Sequence, residues 1–359
     1  MSRPHIAIAT NNGDIGGGEV MLLNIAEALR DLDMRVLILA PMSPSELLEA
    51  ARGRGFETVE LRASSRAGYM LALARWRMRH RKIPLWCNGL VPTLATTSMG
   101  PRIAHLHILP VGLHAVAASI GRTGARRVLV PSDYMASRLR GTTVLENWTE
   151  DITCDVHCGA PSGPLRVGFL GRLTRDKGVH VLARAMQHVI DTSHHEVRLV
   201  LAGENRFGDA DDDREISAAL APLGDRVEHW GWVEREKFFD EVDLAVFPSA
   251  WDEPFGLVAA EAMASGVPFV ISNAGALPDV AGPEHPWVAA RGIAKSLAVV
   301  VLRALADIED GSANDAVRRA RERWQLIYSP QAGTRRVAAM LCSLTAEAPL
   351  PRCVERERA

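Results

Sequence analysis

Two glutamates, Glu253 and Glu261, stand eight residues apart in "DEPFGLVAAEAMASGVPFV" (252–270), an otherwise apolar segment opened by Pro254 and Gly256. Burying an ionised carboxylate is costly unless something pairs with it. The segment therefore predicts protein groups that satisfy each acid, or a ligand rich in hydroxyls. Further upstream, "FLGRLTRDKGVHVLARAM" (169–186) reads as a strand, Gly171, then Arg172 and Lys177 just before a helix that begins near Gly178. Two cations at a helix N-terminus oppose the macrodipole, which favours anions there. A bound pyrophosphate reverses that cost, because free N–H groups and both cations would then face an anion. The competing reading is a basic, solvated turn.

Other positions fit the same ligand. "LAGEN" (201–205) ends a strand with Gly203 and Glu204, and "NAGALPDV" (273–280) places Gly275 and Ala276 at a strand-to-helix turn. Phe255, Gly256 and Leu257 supply N–H groups at the start of the helix that carries Glu261, and Gly256 lets backbone come close. Acids for hydroxyls and amides for negative charge match a nucleotide sugar, which offers ribose hydroxyls, a diphosphate and sugar hydroxyls in sequence. A structural carboxylate pair capping neighbouring backbone is the plain alternative.

In the first half, Gly16, Gly17 and Gly18 follow the first strand and precede a helix. A dinucleotide-binding turn would need a glycine where Met21 stands and an acid after the second strand, and "RVLILAP" has none. On "RIAHLHILP", His105 and His107 share one face by alternation. His107 lies nearer the carboxyl end and is the preferred site residue, with His105 as the runner-up and a satisfied structural histidine as the plain alternative.

The elements that must hold these residues alternate strictly. "HIAIA" (5–9), "RVLILA" (35–40), "PLWCN" (84–88), "RIAHLHI" (102–108) and "RRVLVPS" (126–132) read as buried strands, with helices such as 19–30 and 45–54 between them. Residues 150–164 break the rhythm. It then resumes with strands at 165–171, 197–203, 227–233, 244–249 and 268–272. The expectation is α/β, two facing Rossmann-like doubly wound domains with an interdomain cleft: 1–155, and 156–330. A last helix over 331–345 is expected to return to the first domain. Ligands of such sheets lie outside the carboxyl ends of the strands.

Composition narrows the partners. The 359 residues are 47% hydrophobic and 23% charged, a globular profile, with no apolar run long enough to cross a membrane. Five cysteines without a regular framework suit a reducing cytosol. The "CDVHC" cluster (154–158) offers three ligands and no fourth, so it reads as linker rather than metal site. Residues 1–150 hold 18 Lys+Arg against 12 Asp+Glu, and no acid occurs between Glu60 and Asp133. That asymmetry predicts an anionic partner on the first half. "GYMLALARWRMRHRK" (68–82) spaces Tyr69, Leu73 and Trp76 as a helix and crowds Arg75, Arg77, Arg79, Arg81 and Lys82 toward its end. It is either a surface helix suited to the macrodipole or a contact to an anionic membrane surface.

"EPFGLVAAEA" resembles the Glu-x7-Glu motif of retaining GT-B glycosyltransferases, in particular family 4. The likeness extends through "GGGE", "HLHILP", "VPSDYMASRL", "GRLTRDKG", "AGE" and "FPSAWDEPFGLVAAEAMASGVPFVISNAGALPDV". It implies a donor diphosphate held by Arg172 and Lys177, a donor ribose held by Glu261, and Glu253 near the 3- and 4-hydroxyls of the transferred sugar. It also implies that amides of Phe255, Gly256 and Leu257 contact sugar and phosphate, and that Gly17 and Gly18 face donor phosphates and acceptor. The family often has Asp after the histidine matched by His107; Ile108 stands there instead. The implied enzyme is a glycosyltransferase that needs neither metal nor cofactor, and lets the acceptor hydroxyl attack the front face as the diphosphate leaves. Expected partners are a nucleotide-sugar donor and a sugar, lipid-linked or secondary-metabolite acceptor, with no nucleic acid. The expected place is the cytoplasm or the inner membrane face. The alternatives are a sugar-nucleotide epimerase of the same fold, and a non-catalytic nucleotide-sugar-binding protein.

Overall fold

The computed structural model describes residues 5–153, 163–193, 196–205 and 210–347. The "CDVHC" cluster lies outside the described residues. The first sheet and its helices comprise β1 (His5–Ala9), α1 (Gly17–Asp31), β2 (Arg35–Pro41), α2 (Glu46–Gly53), β3 (Glu57–Leu61), α3 (Arg66–Arg79), β4 (Leu85–Asn88), α4 (Leu90–Ala95), β5 (Arg102–His105), α5 (Leu113–Gly121), β6 (Arg127–Val130), α6 (Asp133–Arg138) and β7 (Thr143–Val144). The second series runs β8 (Leu165–Leu170), α7 (Val179–Thr192), β9 (Val197–Ala202), α8 (Ala210–Leu220), β10 (Val227–Gly231), α9 (Arg235–Glu241), β11 (Leu244–Phe247), α10 (Leu257–Ser265), β12 (Phe269–Ser272), α11 (Leu277–Ala281), β13 (Val288–Ala289), α12 (Ala294–Glu309) and α13 (Ala313–Arg323). A π turn, Trp324–Tyr328, and α14 (Pro330–Glu347) close the described chain.

Both sheets are parallel. Their orders are β3-β2-β1-β4-β5-β6-β7 and β10-β9-β8-β11-β12-β13. Strands covered on both faces must be apolar throughout, and β4, β11 and β12 are buried at every position. Strand order reverses between β1 and β4 in one sheet and between β8 and β11 in the other. In a sheet of this kind a switch point leaves a crevice beyond its own strand ends.

The chain divides into two compact units between Trp148 and Thr149, ahead of the expected boundary at 155. Thr149 belongs to the second unit: its amide donates to the Tyr328 carbonyl, and its hydroxyl accepts from Trp324 Nε1. From Pro330 the chain is again part of the first unit, where Val337, Met340 and Leu344 of α14 join the core of α1.

Candidate functional site

The turns of the second unit are built from backbone packed on backbone. Gly171 and Gly203 follow β8 and β9 with φ of +146° and +133°. The Gly171 amide donates to Ala202 O at 2.9 Å. A Cβ at Gly203 would fall on the Gly171 carbonyl, so both strand ends require glycine. Glu204 follows with an exposed side chain, and its carbonyl accepts from the Leu173 amide.

The turn from Gly171 reaches α7 through Gly178, a left-handed N-cap packed on the Pro248 carbonyl. Arg172 and Lys177 both lie in this turn, but each already has an acid. Arg172 Nη2 donates to Asp176 Oδ2 at 3.1 Å, and the Thr174 hydroxyl also donates to Asp176. Lys177 Nζ donates to Glu253 Oε1 at 2.5 Å, and the Ser249 hydroxyl reaches the same oxygen at 2.6 Å. A cavity of about 510 Å³ opens beside the turn, lined by Arg172, Thr174, Arg175, Asp176, His180, Asp212 and Ala250.

Glu253 sits in the loop after β11 and is buried. The backbone of that loop is pinned by the Ala276 amide, which donates to Glu253 O, and by Gly275 at φ +58°, where a Cβ would meet the Glu253 backbone. Gly256, at φ +94°, caps α10, and Leu257 begins it. Phe255 is core: it is buried and meets Tyr328 edge-on at 5.5 Å. Glu261 lies within α10, is buried, and accepts from Arg235 Nη1 at 2.8 Å. Burial pushes its carboxyl up from the ordinary range, and the Arg235 guanidinium opposes that shift. The question posed by two acids in an apolar segment thus has a local answer: Lys177 and Ser249 satisfy one, Arg235 the other.

In the first unit, β5 ends at His105, so His107 lies in the turn beyond the strand rather than on it. His105 is wholly buried, edge-on to Trp86 at 5.9 Å and 4.1 Å from the His107 ring. It belongs to the core. Asn88 Nδ2 donates to Gly18 O at 3.1 Å, which turns the Asn88 amide oxygen toward His107 Nε2 at 2.7 Å. His107 therefore carries its proton on Nε2. Its Nδ1 is an acceptor with no hydrogen-bond partner among the described residues. Burial lowers its pKa from 6.5 to about 4, so the ring is neutral at pH 7. Gly17 opens α1, and Gly18 packs beneath the His107 ring, where a Cβ would sit 3.5 Å from Cδ2.

Sequence reasoning missed five partners: Arg235, Asp176, Ser249, Asn88 and Glu19. Glu19 lay inside the quoted "GGGE" motif. It is buried, accepts from Thr10 Oγ1 at 3.1 Å and Asn12 Nδ2 at 3.0 Å, and fixes the loop after β1. Burial raises its carboxyl pKa. Among the described residues no three His, Cys, Asp or Glu side chains converge as a metal site would need.

Two parallel sheets of this order, flanked by helices, match the GT-B fold. Anabaena HepE in complex with UDP-glucose has a TM-score of 0.80 to this chain, covering 94% of it and 99% of the Anabaena chain at 21% identity. Residues 164–307 match the family described as glycosyl transferases group 1. That match lies wholly within the second unit, Thr149–Ser329. An uncharacterised glycosyltransferase of Methanocaldococcus jannaschii is 35% identical over 137 residues, 37% of this chain and 34% of that protein. Glycogen synthase of Mycobacterium tuberculosis is 34% identical over 179 residues, 48% of this chain and 42% of the enzyme. These matches span less than half the length of either relative.

Proposed function

We propose that the protein is a retaining glycosyltransferase that moves a sugar from a nucleotide-diphosphate sugar to an acceptor hydroxyl. The observation that carries the reading is the second switch point, where Arg172, Lys177, Glu253, Arg235 and Glu261 meet turns that only glycine can form. Donor binding exchanges partners within this set. Lys177 and Arg172 turn from Glu253 and Asp176 to the diphosphate; the freed Glu253 carboxylate accepts sugar hydroxyls, and Glu261, still held by Arg235, accepts ribose hydroxyls. The amides at Gly256 and Leu257 add fixed donors, a form of electrostatic preorganisation toward leaving-group charge. Gly203 and Glu204 shape the neighbouring strand end.

Within the first unit, His107 keeps Nδ1 as an acceptor without a partner among the described residues, with Gly17 and Gly18 at the adjoining helix start. The glutamates are binding groups, and no carboxylate nucleophile is required. Metal independence follows from the two cations and belongs to the proposal. A UDP-sugar is the first donor to test, because the Anabaena protein of the same fold holds UDP-glucose.

A thermal-shift screen of the purified protein against UDP-, GDP-, ADP- and dTDP-sugars, with and without divalent metal, tests this. Stabilisation by one nucleotide sugar without metal, lost in Glu261→Ala, is the expected result. No shift with any donor, or an equal shift in Glu261→Ala, overturns the assigned pocket. Release of free epimer without an acceptor would select the epimerase reading instead.

A further inference from the structure

Helix α5 is built inside out. Its inward positions are Ala118 and Gly121, both buried, with Gly121 against Thr93 and Leu94 of α4. Leu113, Val116 and Ile120 point outward, and Ile108 and Val111 in the lead-in are exposed as well; the exposures run from 53% for Ile120 to 87% for Leu113. A surface helix ordinarily turns such residues to the core and polar ones to water. Five large apolar side chains at these exposures amount to on the order of 500 Å², the size at which an apolar patch on a protein surface commonly marks an interaction.

Charge says which kind of surface would cover it. The acid-free stretch from Leu61 to Ser132 contains all of α3, α4 and α5. Arg122 caps α5 and donates from Nη1 to the carbonyl of exposed Arg140. Helix α4 packs against both α3 and α5, and α3 bears exposed Arg75 and Arg79 with Arg81 and Lys82 just beyond. A second copy of the chain seated on this face would bring cations against cations, which is disfavoured. An anionic bilayer complements the cations, and its headgroup boundary accepts apolar side chains without a matching shape.

We propose that the outward face of α5, with Ile108 and Val111, seats the protein on an anionic lipid bilayer. The contact goes beyond the glycosyl-transfer reading and does not depend on it. On this surface Leu113, Val116 and Ile120 enter the acyl boundary while Arg122 and Arg140 meet lipid phosphates.

Flotation of the full chain with vesicles tests it, comparing equal mixtures of phosphatidylcholine and phosphatidylglycerol with phosphatidylcholine alone. Wild type is expected to float with the anionic vesicles at low salt. Val116→Glu/Ile120→Glu is expected to reduce that fraction at least about tenfold, with an unchanged unfolding midpoint, since both positions are exposed. Arg122→Gln/Arg140→Gln is expected to weaken binding to the anionic vesicles only. Wild-type flotation of the Val116→Glu/Ile120→Glu protein overturns the proposal. So does binding that disappears only in Arg75→Gln/Arg79→Gln. A lipid-free wild-type dimer that the α5 variant converts to monomer also overturns it, by assigning the face to a second copy.

Discussion

Lys177 and Glu253 show how a binding group can be held ready at the cost of a close pair. The carboxylate is nearly inaccessible and the ammonium partly exposed, so removing the cation strands a buried charge. Lys177→Met should therefore lower stability by roughly 2 kcal/mol, and adding Glu253→Gln should restore about half of it, read as urea unfolding midpoints. Equal midpoints in wild type and Lys177→Met would mean that water serves Glu253 as well as the lysine does. His107 makes the pH prediction. Its folded pKa, about 4, lies below the ordinary 6.5. Its contribution to stability is thus present above 6.5 and is lost as pH falls toward 4, where the unfolded chain takes the proton and the folded one resists. Between pH 7 and about pH 4.5 wild type should lose up to ~2 kcal/mol more than His107→Gln. Parallel losses would remove the burial argument. The two glutamates were legible in sequence because acids are conspicuous in apolar runs. Arg235, Asn88 and Ser249 were not, because each is an ordinary polar residue until folding brings a distant element beside it. Glu19 was in plain sight, but an acid in a first helical turn reads equally well as a macrodipole partner.

At the scale of elements, the interior of each sheet was legible, and of the edge strands only β10 was. The strands that sequence reading passed over, β3, β7 and β13, are all edge strands. The first, "ETVEL", mixes charge into a short alternation, and the other two are only two residues long. An edge strand with one neighbour lacks the continuous apolar run that marks a buried parallel strand. In helix α3 one cation of the crowd differs from its neighbours. Its crowd of cations suggested a solvated end, yet Arg77 is fully buried and donates to the carbonyls of Met99 at 2.6 Å, Pro101 at 2.9 Å, His80 at 3.0 Å and Ile83. A guanidinium fork can serve four acceptors that an ammonium cannot. Burial lowers its pKa to about 10, which still leaves it charged at pH 7. Arg77→Lys should cost about 2–3 kcal/mol in urea unfolding, and a loss below about 0.5 kcal/mol would show that the fork is dispensable. Gly203→Ala belongs to the same scale, since the added Cβ meets the Gly171 carbonyl. It should displace both strand ends and abolish donor-induced thermal stabilisation. Undiminished stabilisation would show that the donor does not use this turn.

For the whole molecule, the informative fact is that the chain enters the second unit once and returns. Trp148 is the last residue of the outward pass through the first unit. Its carbonyl accepts from Asn24 Nδ2 at 2.9 Å, and its indole lies against Gly333 of the returning helix α14. There is no room there for a Cβ, so Gly333 is the position at which α14 is keyed to the first unit. Each unit has a hydrophobic core of its own, so each should melt as a cooperative body. Gly333→Val overpacks the first core alone and should remove about 3 kcal/mol from it, a fall of roughly 5–10 °C in its transition. The transition of the unit Thr149–Ser329 should stay in place, and a bound nucleotide sugar should raise that transition only. Differential scanning calorimetry of wild type and Gly333→Val, with and without donor, separates these statements. If one transition moves as a whole under both perturbations, stability is shared across the chain, and the donor pocket cannot be treated as the property of one unit.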